Sequence, residues 1–116
     1  MLDQGDKVLV VHRRLYEKDT TRYFIGEVLA YDSGMAKVRG YTFVKDMFTG
    51  AMQKKSDLRT KLLAISSGTL IVYQIPSSLP LETLNVCVDA DGGLVLTDTQ
   101  GFCMDISETV QKHETR

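Results

Sequence analysis

Apolar and polar positions alternate with a period of two along most of this chain, the pattern of half-buried strands rather than of helices. The longest such stretch, Arg22 to Val44, carries two runs rich in Val, Tyr and Phe on either side of Asp32-Ser33-Gly34. A three-residue loop with glycine in the left-handed position closes hairpins of this kind. In that register Tyr31 faces Met35, Leu29 faces Lys37, Glu27 faces Arg39, Ile25 faces Tyr41 and Tyr23 faces Phe43. The opposite face then gathers Phe24, Gly26, Val28, Ala30, Ala36, Val38, Gly40 and Thr42. Gly26 lies across from Gly40. Glycine weakens a strand interior, so a matched pair implies close backbone approach or the sharp bend of a small barrel, with this small apolar face on the concave side.

The other face, with Tyr23, Ile25, Leu29, Tyr31, Tyr41 and Phe43, is too apolar to be left bare. Three coverings are open: the C-terminal half of the chain, a second subunit, or a ligand with flat rings.

The remaining segments follow the same period. Asp6–His12 is a first strand, and the polar, turn-rich stretch from His12 to Thr21 is a loop. Thr49-Gly50 closes a short hairpin with Met47, Phe48 and Met52 at its tip, followed by an exposed basic loop, Gln53–Arg59. Lys61–Ile75 is almost continuously apolar and turns at Ser67-Gly68, which predicts a second hairpin buried on both faces. A Pro-bounded connector, Pro76–Pro80, leads to a single helical turn at Leu81–Leu84. Asn85–Ile106 then reads as a three-stranded meander turning at Asp91-Gly92-Gly93 and Thr99-Gln100-Gly101. Its simplest register sets Leu96 between Cys87 and Cys103, with Val86, Val88, Val95, Phe102, Met104 and Ile106 on the core face.

The expected fold is therefore one all-β domain over residues 1–116, a small barrel or sandwich of about seven or eight antiparallel strands. Residues 5–75 form the barrel core, 81–106 the meander and 107–116 a polar tail. The length suits a single core that needs no metal or disulfide. The N-terminus lacks a basic start and long apolar run, and no stretch is apolar enough to span a membrane, so a cytoplasmic protein without a membrane partner is expected. Charge is unevenly placed. Residues 1–61 hold twelve Lys/Arg against eight Asp/Glu, and residues 62–116 hold two against seven. Such polarity suits a basic binding surface or head-to-tail self-association.

Catalytic chemistry finds no foothold. Cys87 and Cys103, two strands apart, would be roughly 9–10 Å from each other, beyond disulfide reach, so two free thiols are expected. His12 and His113 lie near opposite ends of the chain, which argues against a zinc site and against a nucleophile–base pair. Asp89 and Asp105 read as a solvated sheet face rather than a carboxylate pair, and no glycine-rich phosphate loop precedes a helix. No catalytic residue, metal, cofactor or small-molecule substrate is expected.

The basic residues carry more information. Arg13, Arg14, Lys18 and Arg22 cluster before the hairpin, Lys37 and Arg39 stand among its aromatics, and Lys54, Lys55, Arg59 and Lys61 follow. Cations for phosphates beside rings for bases are how sheets hold single-stranded nucleic acid. Arg13, Arg14, Arg22, Lys37, Arg39 and Tyr41 are the candidate contacts. The competing reading is a solvated loop beside an aromatic subunit interface formed by Tyr23, Ile25, Leu29, Tyr31, Tyr41 and Phe43.

Within Phe24–Tyr41, FIGEVLAYDSGMAKVRGY resembles the first motif of Sm-like barrels, with Gly26, Asp32 and Met35 on its positions and Ala36 where the family carries Asn. That resemblance implies a bent five-stranded barrel, a homo-oligomeric ring and RNA contacts. Arg13-Arg14 and Asp32-Ser33-Gly34 also resemble parts of PilZ-type barrels, which implies cyclic-dinucleotide binding, although here Asp and Ser are adjacent and the motif's final Gly is missing. Two functions are thus expected to compete. The first is a non-catalytic, self-associating assembly module; the alternative binds RNA or an oligonucleotide.

Overall fold

The computed structural model describes residues 2–12, 22–46, 48–88 and 93–106. Among them nine strands form two antiparallel sheets. Strands β1 (Lys7–His12), β2 (Arg22–Asp32), β3 (Met35–Lys45), β4 (Met52–Lys54), β5 (Arg59–Ala64) and β6 (Leu70–Ile75) make the larger sheet, in the order β4-β3-β2-β1-β6 with β5 also on β3. Strands β7 (Asn85–Val88), β8 (Leu94–Thr97) and β9 (Cys103–Asp105) make the smaller one. The fold class is all-β, as expected, but the larger sheet does not close into a barrel.

The larger sheet is nevertheless curled. Leu63 on β5 and Val72 on β6 lie at its two edges, yet both pack into one cluster with Val8, Val10, Phe24, Val28, Ala36 and Val38. Only a concave face brings both edges onto the same side chains. Within it, Gly26 of β2 lies directly opposite Gly40 of β3. A Cβ on Gly26 would stand 2.6 Å from Val38 Cγ1 and 2.7 Å from the Arg39 carbonyl oxygen, and a Cβ on Gly40 would fall on the Ile25 carbonyl.

The convex face carries the second cluster. Tyr23, Ile25 and Phe43 are buried with Leu9 and Val11 beneath Leu84, Val86, Leu96 and Ile106 of the C-terminal segment. The chain's own small sheet is what covers the aromatic face. The proposed subunit interface is corrected accordingly: Tyr23, Ile25 and Phe43 are interior residues of one chain. Two lysines tie this second layer down. Lys7 Nζ donates to the Leu79 carbonyl, and Lys54 Nζ donates to the carbonyls of Glu82 (3.0 Å) and Leu84 (3.4 Å). The Lys54 ammonium also lies 4.4 Å from the centre of the Tyr41 ring, a cation–π contact.

Four local expectations are corrected. The central hairpin closes through a two-residue turn, Ser33-Gly34, both with positive φ (51° and 83°), the type I′ geometry that matches strand twist. Pairing therefore starts one residue out of the expected register, at Asp32↔Met35, and a bulge at Leu29 restores it by Val28↔Val38. The slip and the bulge cancel, so Glu27↔Arg39 and everything beyond fall as expected. Between them the faces invert: Tyr31 packs on the concave cluster, not beside Tyr23.

Lys61–Ile75 is not a hairpin. β5 pairs with β3 and β6 with β1, and a 3₁₀ turn at Ile65–Ser67 carries the chain between them. The Ile65 N–H donates to the Gly34 carbonyl (2.8 Å), which seats that turn over the central hairpin's tip. Nor is the segment buried on both faces: Leu62 is 71% exposed. The meander forms where expected, but the register of each of its strand pairs differs by one residue. Val86 faces Leu96 and Leu96 faces Met104, so Leu94 and Leu96 join the convex core, while Val95 is buried outside that cluster and Val88 is exposed. Finally, Gln53–Arg59 is not all loop, since it contributes to β4 and begins β5.

Candidate functional site

Alternation places the polar ends of four strands at one mouth of the concave face. Along β5, Leu63 is buried in the concave cluster, Lys61 comes next on that side and Arg59 lies beyond it. Along β2 the same side runs Val28, Gly26, Phe24 and Arg22, and along β1 it runs Val8, Val10 and His12. His12 pairs with Arg22. The apolar residues fill the deep end and the charged ones collect where the sheet fails to close.

The result is a half-open cleft of about 360 Å³ lined by Arg22, Thr42, Val44, Lys55, Asp57, Arg59 and Lys61. The connector between β4 and β5 forms one wall, held by the Lys55 N–H donating to the Thr42 carbonyl (2.8 Å). Four cations face one carboxylate. Asp57 pairs with Arg59 at 3.2 Å, both side chains well exposed, and such a pair contributes little. Among the described residues Arg22, Lys55 and Lys61 have no acidic partner.

The charge is felt inside the cleft. The Lys61 ammonium sits 4.6 Å from the centre of the Phe24 ring, at the border of the apolar floor. Burial there, then the nearby Arg22 and Arg59, pull its pKa below the ordinary lysine value. His12, half-buried, is likewise held below its ordinary value by burial first and by Lys61 and Arg22 next. Burial is the larger cause of both shifts, and the neighbouring cations add to it with the same sign. An anion would relieve them.

No family model, curated protein or solved structure matches this chain. Its function must be read from this geometry alone.

The six contacts expected from the sequence are not brought together. Arg22 is in the cleft, whereas Lys37 and Arg39 are exposed on the convex face, opposite Ala30 and Glu27. Tyr41 is half-buried under Lys54 and packs against the convex core. Arg13, Arg14 and Lys18 lie outside the described residues, as does His113. Of the expected interface, Leu29 sits at the bulge and Tyr31 on the concave side. What the sequence reading missed is the grouping of Lys55, Arg59 and Lys61 with Arg22 and His12. The signal was Arg59-x-Lys61-x-Leu63, a cation alternation running into a core residue, which becomes legible only once β5 is paired with β3.

Proposed function

We propose that this chain is a non-catalytic binding module that holds the phosphates of a single-stranded nucleic acid in the cleft of Arg22, Lys55, Arg59 and Lys61. The observation that carries this is four cations converging on one concavity with a single acid among them. Phosphate contacts by lysine and arginine supply the sequence-independent part of nucleic-acid affinity and make it salt-dependent. A strand fits a half-open groove at the edge of a curled sheet, where a duplex would need a flatter or protruding surface.

The test is fluorescence anisotropy with a 5′-labelled oligouridylate titrated at several salt concentrations, for the wild type and for Arg59→Glu/Lys61→Glu. Binding that weakens steeply with salt and is abolished in the double variant is expected. No binding at low salt, or equal binding by the variant, would overturn the proposal.

Self-association is a second reading, now on a different surface from the buried aromatics. Leu62 (71% exposed) and Met35 (45% exposed) share the convex face with Lys37 beside β5, which among the described residues has a strand on only one side. Apolar residues at an open edge suit pairing with another strand. Light scattering on the eluting protein distinguishes a monomer from an assembly.

A further inference from the structure

We infer that Phe48, at the tip of the β3–β4 hairpin, is a stacking platform for a base of the strand whose phosphates occupy the cleft. This rests on the nucleic-acid reading above and specifies how the partner is held. Phe48 is 97% exposed, the most exposed of the large apolar side chains described. Its backbone is anchored to Asp46. The Asp46 carboxylate accepts the Phe48 N–H at 2.8 Å and the Thr49 N–H at 3.4 Å, the Asp46 carbonyl accepts the Gly50 N–H, and the Asp46 N–H donates to the Ala51 carbonyl. Gly50 takes the left-handed φ of 75° that lets the chain return.

The same hairpin forms a wall of the cleft. Val44 of β3 lines it and Lys55 follows directly on β4, so Phe48 stands four residues beyond a lining position. At the rise of an extended chain that is on the order of 10–13 Å, the reach of a few nucleotides. Lys45, at the foot of the turn, alternates with Val44 and faces the convex side with Phe43, so Lys55 is the cation of this hairpin on the cleft side. A bare ring beside uncompensated cations matches the two needs of a single strand, a π-surface for a base and charge for the backbone. Charge complementarity selects this occupant, since the cleft walled by this hairpin gathers Arg22, Lys55, Arg59 and Lys61 against a single acid, Asp57.

The chain contains no tryptophan, so Phe48→Trp creates a single reporter. Three probes are titrated: oligouridylate, an abasic oligomer of the same length, and vesicles of anionic phospholipid. Stacking predicts that the wild type prefers the oligouridylate over the abasic oligomer by roughly five- to a hundredfold, and that Phe48→Ala abolishes the preference while still binding both. The tryptophan emission should be quenched by oligouridylate and not by the abasic strand. Equal wild-type affinity for the two oligomers, with salt-dependent binding intact, would overturn the stacking role and leave the phosphate reading standing. No binding of either oligomer would remove both. Emission that shifts with vesicles and not with oligouridylate would reassign the tip to a membrane surface and overturn the proposal. Phe48 is exposed, so unchanged thermal unfolding of Phe48→Ala separates lost stacking from lost fold.

Discussion

Gly26 lies directly across from Gly40 in the central hairpin, and neither position has room for a side chain. The two glycines let β2 and β3 approach closely within the larger sheet, whose concave surface has a cleft at one mouth. Alanine at Gly40 would fall onto the Ile25 carbonyl, whereas at Gly26 it would meet the Val38 side chain and the Arg39 carbonyl less closely, at 2.6 and 2.7 Å. Gly40→Ala should therefore cost more than Gly26→Ala, with both at or above the 1–3 kcal/mol typical of overpacking. Urea unfolding midpoints of the two variants check the order; equal midpoints to the wild type would show that the close approach does not need the pair.

The small sheet is the lid of the convex core, and Leu96 on its central strand is fully buried there. Leu96→Ala should destabilise by about 2–5 kcal/mol, the cost of a cavity in a packed core. Because Tyr23 lies beneath it in the same cluster, loss of near-ultraviolet dichroism from tyrosine should accompany the loss of stability. An intact tyrosine signal with the full loss of stability would mean that the two layers separate independently.

Lys61 offers a substitution that separates charge from packing. Lys61→Met keeps an unbranched chain over the Phe24 ring and removes the ammonium. Oligonucleotide binding should weaken about equally for all sequences, and the slope of log K against log salt should fall by about one. Thermal stability should hold or rise, since a cation repelled by Arg22 and Arg59 has gone.

His12 makes both stability and binding depend on pH. Its pKa is lowered in the folded protein from the ordinary 6.5 by burial, Lys61 and Arg22. The unfolded chain therefore takes up its proton first. His12 costs nothing well above pH 6.5, and its contribution to stability falls as pH drops through 6.5 towards the folded value. An anion in the cleft offsets the positive neighbours and raises that folded value, so binding should take up a proton and tighten on acidification through this window. His12→Gln should flatten both profiles between about pH 5 and 8. Unfolding midpoints and anisotropy titrations over that range measure them.

Cys87 is opposite Val95 and Cys103 opposite Thr97, so the thiols stand two strands apart and in different rows of the small sheet. At roughly 9–10 Å or more they are beyond disulfide reach. Both should titrate with a thiol reagent in the native protein, Cys103 faster because it is exposed while Cys87 is half-buried. A single reactive thiol equivalent would contradict this packing.

The sequence by itself determined most of the strands and, from Glu27 outward, the pairing of the central hairpin, because alternation specifies a face and a glycine pair specifies close approach. It also marked the C-terminal meander and left three possible covers for the aromatic face. It did not determine the Leu29 bulge, the inversion at Tyr31 or the one-residue offsets in the meander, since a period of two cannot tell a two-residue turn from a three-residue one. Above all, it did not place β5. An apolar run folded locally into a hairpin looks the same along the chain as two strands sent to opposite edges of a curled sheet. Only the tertiary structure decided that β5 pairs with β3, and that pairing is what sets Arg59 and Lys61 beside Arg22. The candidate site is a product of long-range pairing between segments that local alternation leaves free to choose their partners.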